Sequence, residues 1–234
     1  LFTRDKMIPL SAYNTLYFAI FSVPLNMCVG ILIAVMMNQK IRGIRILRTI
    51  YYLPNVVSIV AVSMLWYFIF QSNGVLNMLL GAVGIQGPNW LSDPAWAKNA
   101  LILMNCWNAG GSMVIYLAGL QGIPRSYYEA AEVDGAGALR KFFSITLPLL
   151  SPSIFYNLII GIIGALQTFS TALVMTDGGP VNSTTFYVLT LYRRAFEDMR
   201  MGYASAMAWV LMVVTLLLTL VVFWIGNKKV YYEQ

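Results

Sequence analysis

Three apolar stretches of this chain carry uncharged polar side chains in short runs, and these are the groups whose types and spacing suit work on a solute. Asn105, Trp107 and Asn108 fall in one stretch, followed by Gly110-Gly111, where a backbone can bend or be approached closely. Tyr156, Asn157, Gln167, Thr168, Ser170 and Thr171 fall in the next, and Ser63 and Trp66 in an earlier one. Polar groups in an apolar medium are costly unless they meet a partner or line a cavity. Amides and hydroxyls replace the hydration of a polar solute, and aromatic faces stack on its C–H surfaces. The combination suits a sugar. The same side chains can also bond helix to helix, and the residues alone leave both roles open.

Other chemistries lack their residues. The chain has no His, which removes the usual acid–base and metal-binding side chain near neutral pH. Cys28 and Cys106 both lie within apolar stretches and read as buried structural thiols rather than as a disulfide or metal pair. An enzyme would have no nucleophile–base set. A secondary transporter driven by protons or ions keeps charged groups in its spans, and here those are missing. A G-x-x-x-x-G-K-[ST] phosphate loop is also missing, because Gly135-Ala-Gly-Ala-Leu-Arg-Lys-Phe-Phe143 lacks its spacing and its Lys-Ser/Thr pair. Energy must come from a separate motor, unless the chain is a passive channel.

The elements that position these groups are helices of membrane length. The chain of 234 residues is 59% hydrophobic and 10% charged, against roughly 25% charged in soluble domains. Apolar stretches at about 13–38, 53–71, 99–120, 153–176 and 203–226 contain no Lys, Arg, Asp or Glu. Each is near or above the roughly 20 residues that cross a bilayer, the second being the shortest and starting at Leu53-Pro54. A single all-α membrane domain, residues 1–234, is expected.

Basic residues orient it. Segments 39–52, 121–152 and 227–234 hold nine of the Lys and Arg, including Lys40, Arg42, Arg45, Arg48, Lys228 and Lys229, and the opposite side holds six, including Arg4, Lys98, Arg193 and Arg194. The bias places the first set in the cytoplasm. The net charge of +6 then answers to topology and to anionic membrane lipid; short basic loops flanking spans do not describe a nucleic-acid surface. On the outer side, 72–98 predicts a short helix near Val75–Leu80, with Trp90 and Trp96 as headgroup anchors or as contacts for an external delivery protein. Segment 177–202 predicts a turn at Asp177-Gly-Gly-Pro180 and a helix over Phe186–Phe196 with Arg193 and Arg194 on a solvated face.

Residues 129–152 form a polar island. Ser126 with Glu129 reads as a capping box; Tyr127, Ala130, Ala131 and Asp134 share one helical face; Gly135 sits where a helix end wants positive φ. Leu139, Phe142 and Phe143 then mark a second short helix, punctuated by Pro148 and Pro152.

The string EAAEVDGAGALRKFFSITLPLL closely resembles the EAA loop of permease subunits from bacterial ABC importers, the binding-protein-dependent transport system inner-membrane components, of carbohydrate-uptake type. NTLYFAIFSVPLN, GVLN, NWL, LAGLQGIP, TDGGP and MGYASAMA extend the resemblance over nearly the whole chain from Asn14. Leu139 departs from the aromatic common in that family. The resemblance implies a type I ABC importer transmembrane fold, with a further N-terminal helix before this region, in the bacterial cytoplasmic (inner) membrane. It implies a cytoplasmic ABC ATPase dimer docked on the loop 125–152 through Glu129, Ala130, Ala131, Asp134, Gly135, Leu147 and Pro148. A second, related permease subunit and an extracytoplasmic solute-binding protein complete the assembly. No cofactor is expected on this chain; ATP and Mg belong to the partner ATPase. Trp66, Asn105, Trp107, Asn108, Tyr156, Asn157, Gln167 and Thr168 become candidates for the solute route, by alternating access. A sugar or oligosaccharide is the first expectation; a polyamine or anion, or passive conduction, are the alternatives.

Overall fold

The computed structural model describes residues 5–39 and 42–226; Arg4, Lys40, Lys228 and Lys229 lie outside the described residues. Among these the chain is helical and has no strand. The order begins with α1 (Met7–Met37), α2 (Ile44–Tyr52), a 3-10 turn (Leu53–Asn55), α3 (Ile59–Ile69) and α4 (Val75–Ala82). It continues with α5 (Pro94–Trp107), α6 (Ala109–Gly122), α7 (Arg125–Val133), α8 (Ala138–Lys141), a π turn (Phe142–Thr146) and α9 (Leu147–Leu149). It ends with α10 (Ser151–Leu166), α11 (Ser170–Met175), α12 (Tyr187–Tyr192), a second π turn (Arg193–Glu197) and α13 (Met201–Gly226).

Among the described residues, only α1 and α13 are unbroken helices long and apolar enough to cross a bilayer. Three bent pairs complete five candidate spans: 44–55 with 59–69 at 96°, α5 with α6 at 43°, and 138–149 with α10 at 65°. The apolar stretch 53–71 is therefore a turn, a break and an 11-residue helix. Pro54 has no N–H, so a continuous α-helix there would leave the Ile50 carbonyl unpaired. The stretch 153–176 is likewise interrupted, between α10 and α11, at Gln167–Phe169.

α1 is the central post, packed on α5, α6 and α10. Small residues permit the approach: a Cβ on Gly30 would lie 2.5 Å from the Ser112 hydroxyl and 3.2 Å from the Tyr116 ring. Toward one end of the bundle Phe18, Phe70, Leu101, Met104, Phe186 and Leu189 form one core; toward the other, Met37, Met113, Tyr116, Leu120 and Leu150 form a second. α13 buries only Ala204 and Met207 within the chain, leaving an apolar face for lipid or a neighbour. Cys28 also stands exposed on α1, correcting the expectation of a buried thiol; in a membrane an apolar face needs no burial within its own chain.

The loops segregate by end, as an alternating topology requires. Asn14 donates to the Asn182 and Thr185 carbonyls at 2.9 and 3.1 Å and accepts from Lys98 Nζ at 3.2 Å. Lys98 also lies 5.0 and 4.6 Å from the ring centres of Tyr13 and Tyr17. At the same end Arg194 pairs with Asp5 at 2.8 Å and Asp198 at 2.6 Å, while Arg193 pairs with Asp177 at 2.7 Å. These arginines tie loops together instead of forming a solvated face. At the far end Arg48 donates to the Met37 carbonyl at 2.7 Å, and Tyr128 packs on the core that holds Met37 and Leu150.

Candidate functional site

Two features stand out, a polar cavity among the helices and a two-helix projection at one end. The cavity comprises two adjoining hollows of about 250 and 280 Å³ that share Phe18, Asn105, Asn108 and Thr168. Gln167, Phe169, Ser170 and Thr171 close the first; Asn26, Ser112 and Asn157 close the second. Two helix breaks build it. Asn105 and Asn108, one turn apart, meet where α5 gives way to α6, and Gln167 and Thr168 sit where α10 gives way to α11. Interrupted helices place polar backbone and side chains at membrane depth only where they line a cavity.

Some of these polar groups are occupied by the scaffold. Asn26 Nδ2 donates to the Asn105 carbonyl at 2.7 Å and its Oδ1 accepts from Ser112 at 3.3 Å. Asn157 bonds back to the Ser153 carbonyl at 2.9 Å, and Thr168 to that of Gly164 at 3.3 Å. The carboxamides of Asn105, Asn108 and Gln167 have no hydrogen-bond partner among the described residues. Among the described residues, no Asp, Glu, Lys or Arg lines either hollow.

Three route candidates lie elsewhere. Trp66 and Trp107 pack edge to face, centroids 5.7 Å apart, and line a separate apolar recess of about 610 Å³ with Leu47, Ile50, Tyr51 and Leu103. At about 100° per residue, Trp107 is turned away from the face that Asn105 and Asn108 share at i, i+3. Tyr156 is exposed and absent from both hollows, one position off Asn157 and so on another face. Sequence reasoning missed Phe18, Asn26 and Ser112; an amide midway along the apolar run of α1 was the available signal for Asn26. Ser63 is fully buried and bonds back to the Ile59 carbonyl at 2.7 Å, so it serves its own helix.

The projection is α7, a tight reversal, and α8 running through the π turn into α9. Gly135 adopts φ +74°. Its N–H reaches the Glu132 carbonyl at 3.0 Å, and the Ala136 N–H reaches that of Ala131 at 2.8 Å, the paired bonds of a Schellman end. Lys141 with Glu132 at 2.7 Å and Tyr128 with Thr146 at 3.0 Å hold the two arms together. The capping box does not form: Pro124 occupies the cap position and Ser126 lies within the first turn without a capping bond. Pro148 and Pro152 flank the end of the second helix, which stops at Leu149 and bends by 65° into α10. Each stands in the first turn of a segment, where a missing N–H is harmless, and the π turn absorbs the change, with the Leu147 N–H bonding the Phe142 carbonyl.

Glu129, Ala130, Asp134 and Gly135 are exposed on this projection, Ala131, Leu147 and Pro148 half-buried. Three apolar side chains stand out beside them: Val133 is 89% exposed, Leu139 76% and Phe143 61%. On a free loop such a patch would be unfavourable; it fits a surface that another protein covers.

Residues 26–228 match the family model described as "Binding-protein-dependent transport system inner membrane component". The chain is similar to the probable ABC transporter permease protein YesP of Bacillus subtilis (strain 168), 44% identical over 100% of this chain and 77% of the relative. It is 37% identical to the lactose transport system permease protein LacF of Rhizobium radiobacter, over 97% of this chain and 78% of that one. Among solved structures, it is similar to a chain of a bacterial alginate ABC transporter in complex with an alginate pentasaccharide-bound periplasmic protein. That likeness has a TM-score of 0.82 and 29% identity, covering 94% of this chain and 78% of the other.

Proposed function

Because the chain belongs to the binding-protein-dependent transport system inner membrane components, we propose that it forms one half of an ATP-driven importer that passes a neutral sugar or oligosaccharide across the inner membrane. It is a permease subunit and not an enzyme. The observation that carries the reading is the cavity itself: three unpaired carboxamides among aromatic and hydroxyl side chains, with no charge in its lining. Uncharged donors and acceptors match sugar hydroxyls, and Phe18 and Phe169 offer faces to C–H surfaces. A polyamine or an inorganic anion would be desolvated there without a counter-charge.

The projection at 125–152 serves as the coupling element for a cytoplasmic ATPase dimer. Its rigidity supports this role: the Schellman end, an ion pair and a hydroxyl pair hold both arms as one body, and its apolar patch awaits a partner. Glu129 and Asp134 offer acceptors; Ala130 and Ala131 allow close helix approach. Nucleotide-driven closure of the ATPases would move two permeases as rigid bodies and alternate access to the cavity. ATP and Mg act in the ATPase, and this chain supplies no cofactor site. A related permease covers the open apolar faces of the bundle, and a solute-binding protein delivers sugar at the end that carries Lys98 and 177–202.

The solute class is tested by competition. In proteoliposomes holding the complete importer, unlabelled neutral saccharides should suppress uptake of the labelled sugar that the cognate binding protein retains. Phosphorylated or uronate-bearing sugars should not. Suppression by the acidic sugars alone would reject a neutral route.

A further inference from the structure

We propose that Asn55 is a positioning residue: its carboxamide locks the bend between α5 and α6 and thereby sets where Asn108 presents its amide to the cavity. The inference rests on the cavity being the solute route. At the bend the helix ladder is weak, the Gly111 N–H reaching the Asn108 carbonyl only at 3.4 Å. The Asn55 carboxamide, oriented so that both of its ends are satisfied, donates to the Asn108 carbonyl at 3.2 Å and accepts from the Gly111 N–H at 3.0 Å. One side chain from a distant turn thus bonds both backbone groups that the bend leaves poorly paired.

The bare backbone of the bend makes room for this. A Cβ on Gly110 would collide with the Tyr51 carbonyl, and one on Gly111 would lie 2.9 Å from the Asn55 carboxamide. Pro54 sets the 3-10 turn that carries Asn55, and α2 before it buries none of its residues. α2 is held at its other side by the Arg48 bond to the end of α1. The seat of α2 and the direction of Asn108 are therefore one mechanical unit: a displacement of the surface helix acts on the cavity through Asn55.

The test uses the full-length permease in its complete complex, with Cys28 and Cys106 replaced and spin labels on Ala95 and Gln121, exposed at the two far ends of the α5–α6 pair. Asn55→Leu keeps the side-chain size and removes both hydrogen bonds; because Asn55 is exposed, it opens no core cavity. Two arms of 14 residues each, at about 1.5 Å per residue, lengthen end to end by about 3 Å if the 43° bend relaxes. The distance distribution in Asn55→Leu should broaden or move outward accordingly. Asn55→Asp, which keeps only the acceptor for Gly111, should fall between it and the parent.

Uptake by Asn55→Leu should drop several-fold, and adding Asn108→Ala should cost nothing further, since both act through one group. An unchanged distance in Asn55→Leu overturns the lock. A changed distance with normal uptake overturns the positioning role. If Asn108→Ala by itself transports normally, the route reading fails, and the distance measurement still decides the lock.

Discussion

At the scale of single residues, function follows from which neighbours share a helical face. Asn105 and Asn108 stand one turn apart and meet in the cavity, whereas Trp107 between them turns to Trp66 and an apolar recess. Composition alone groups all three, whereas their helical spacing separates Trp107 from the two amides. Asn108→Ala should therefore reduce uptake strongly while Trp107→Ala leaves most of it, both with normal ATPase association, measured as sugar uptake beside a pull-down. Equal loss in both would indicate packing rather than a solute contact. Gly135 was legible because a chain reversal between two short helices requires positive φ, and its φ is +74°. No neighbouring atom lies within 4 Å of a Cβ built there, so the cost of a side chain is backbone strain, about 1–2 kcal/mol. Gly135→Val should leave the permease inserted but weaken ATPase pull-down and solute-stimulated ATP hydrolysis. Unchanged values for both would remove the docking role from this position.

At the scale of elements, the chain announces apolar stretches well and their interruptions poorly. Hydropathy averages over a window, so 53–71 and 153–176 read as single spans although Pro54 and the segment Gln167–Phe169 break them. The cavity arises at such breaks, which is why its membership was only partly legible. Ion pairs across distant loops were also out of reach, since Asp5 and Arg194 are separated by most of the chain. That pair predicts a pH response. Burial works to raise the Asp5 carboxyl, but the Met7 N–H, Arg194 and the Tyr203 hydroxyl outweigh it and hold it below its ordinary value. The depressed value means that the pair's contribution is present in full above the ordinary carboxylate range and is lost as pH falls through the lowered value. Amide protection over Met199–Tyr203 should stay constant from neutral pH down to about pH 4 and fall only below it. In Asp5→Asn it should be low already at neutral pH. A parent protein that loosens between pH 7 and 5 would contradict this assignment.

At the scale of the whole molecule, the two ends of the bundle carry different tasks. One end gathers Lys98, Asp177 and Asp198 with their loops; the other carries Arg45, Arg48 and the two-helix projection proposed to dock the ATPase. With the basic bias, the second end is assigned to the cytoplasm. An impermeant thiol reagent on intact cells should label cysteines at 98 and 198 and spare one at 45, and labelling at 45 would invert the orientation. The apolar stretches 13–38, 53–71, 99–120, 153–176 and 203–226 hold no charged group with which to couple ions, and the sequence has no phosphate loop; the proposed function therefore relies on a separate ATPase. The most direct measurement is uptake into proteoliposomes containing this permease, its partner permease and the ATPase, with sugar-loaded binding protein at the outer end and nucleotide at the other. The account predicts accumulation of sugar with ATP and Mg, none without ATP, and reduced accumulation in the Gly135→Val complex. Equal sugar entry with and without ATP would identify a passive pore and contradict the account.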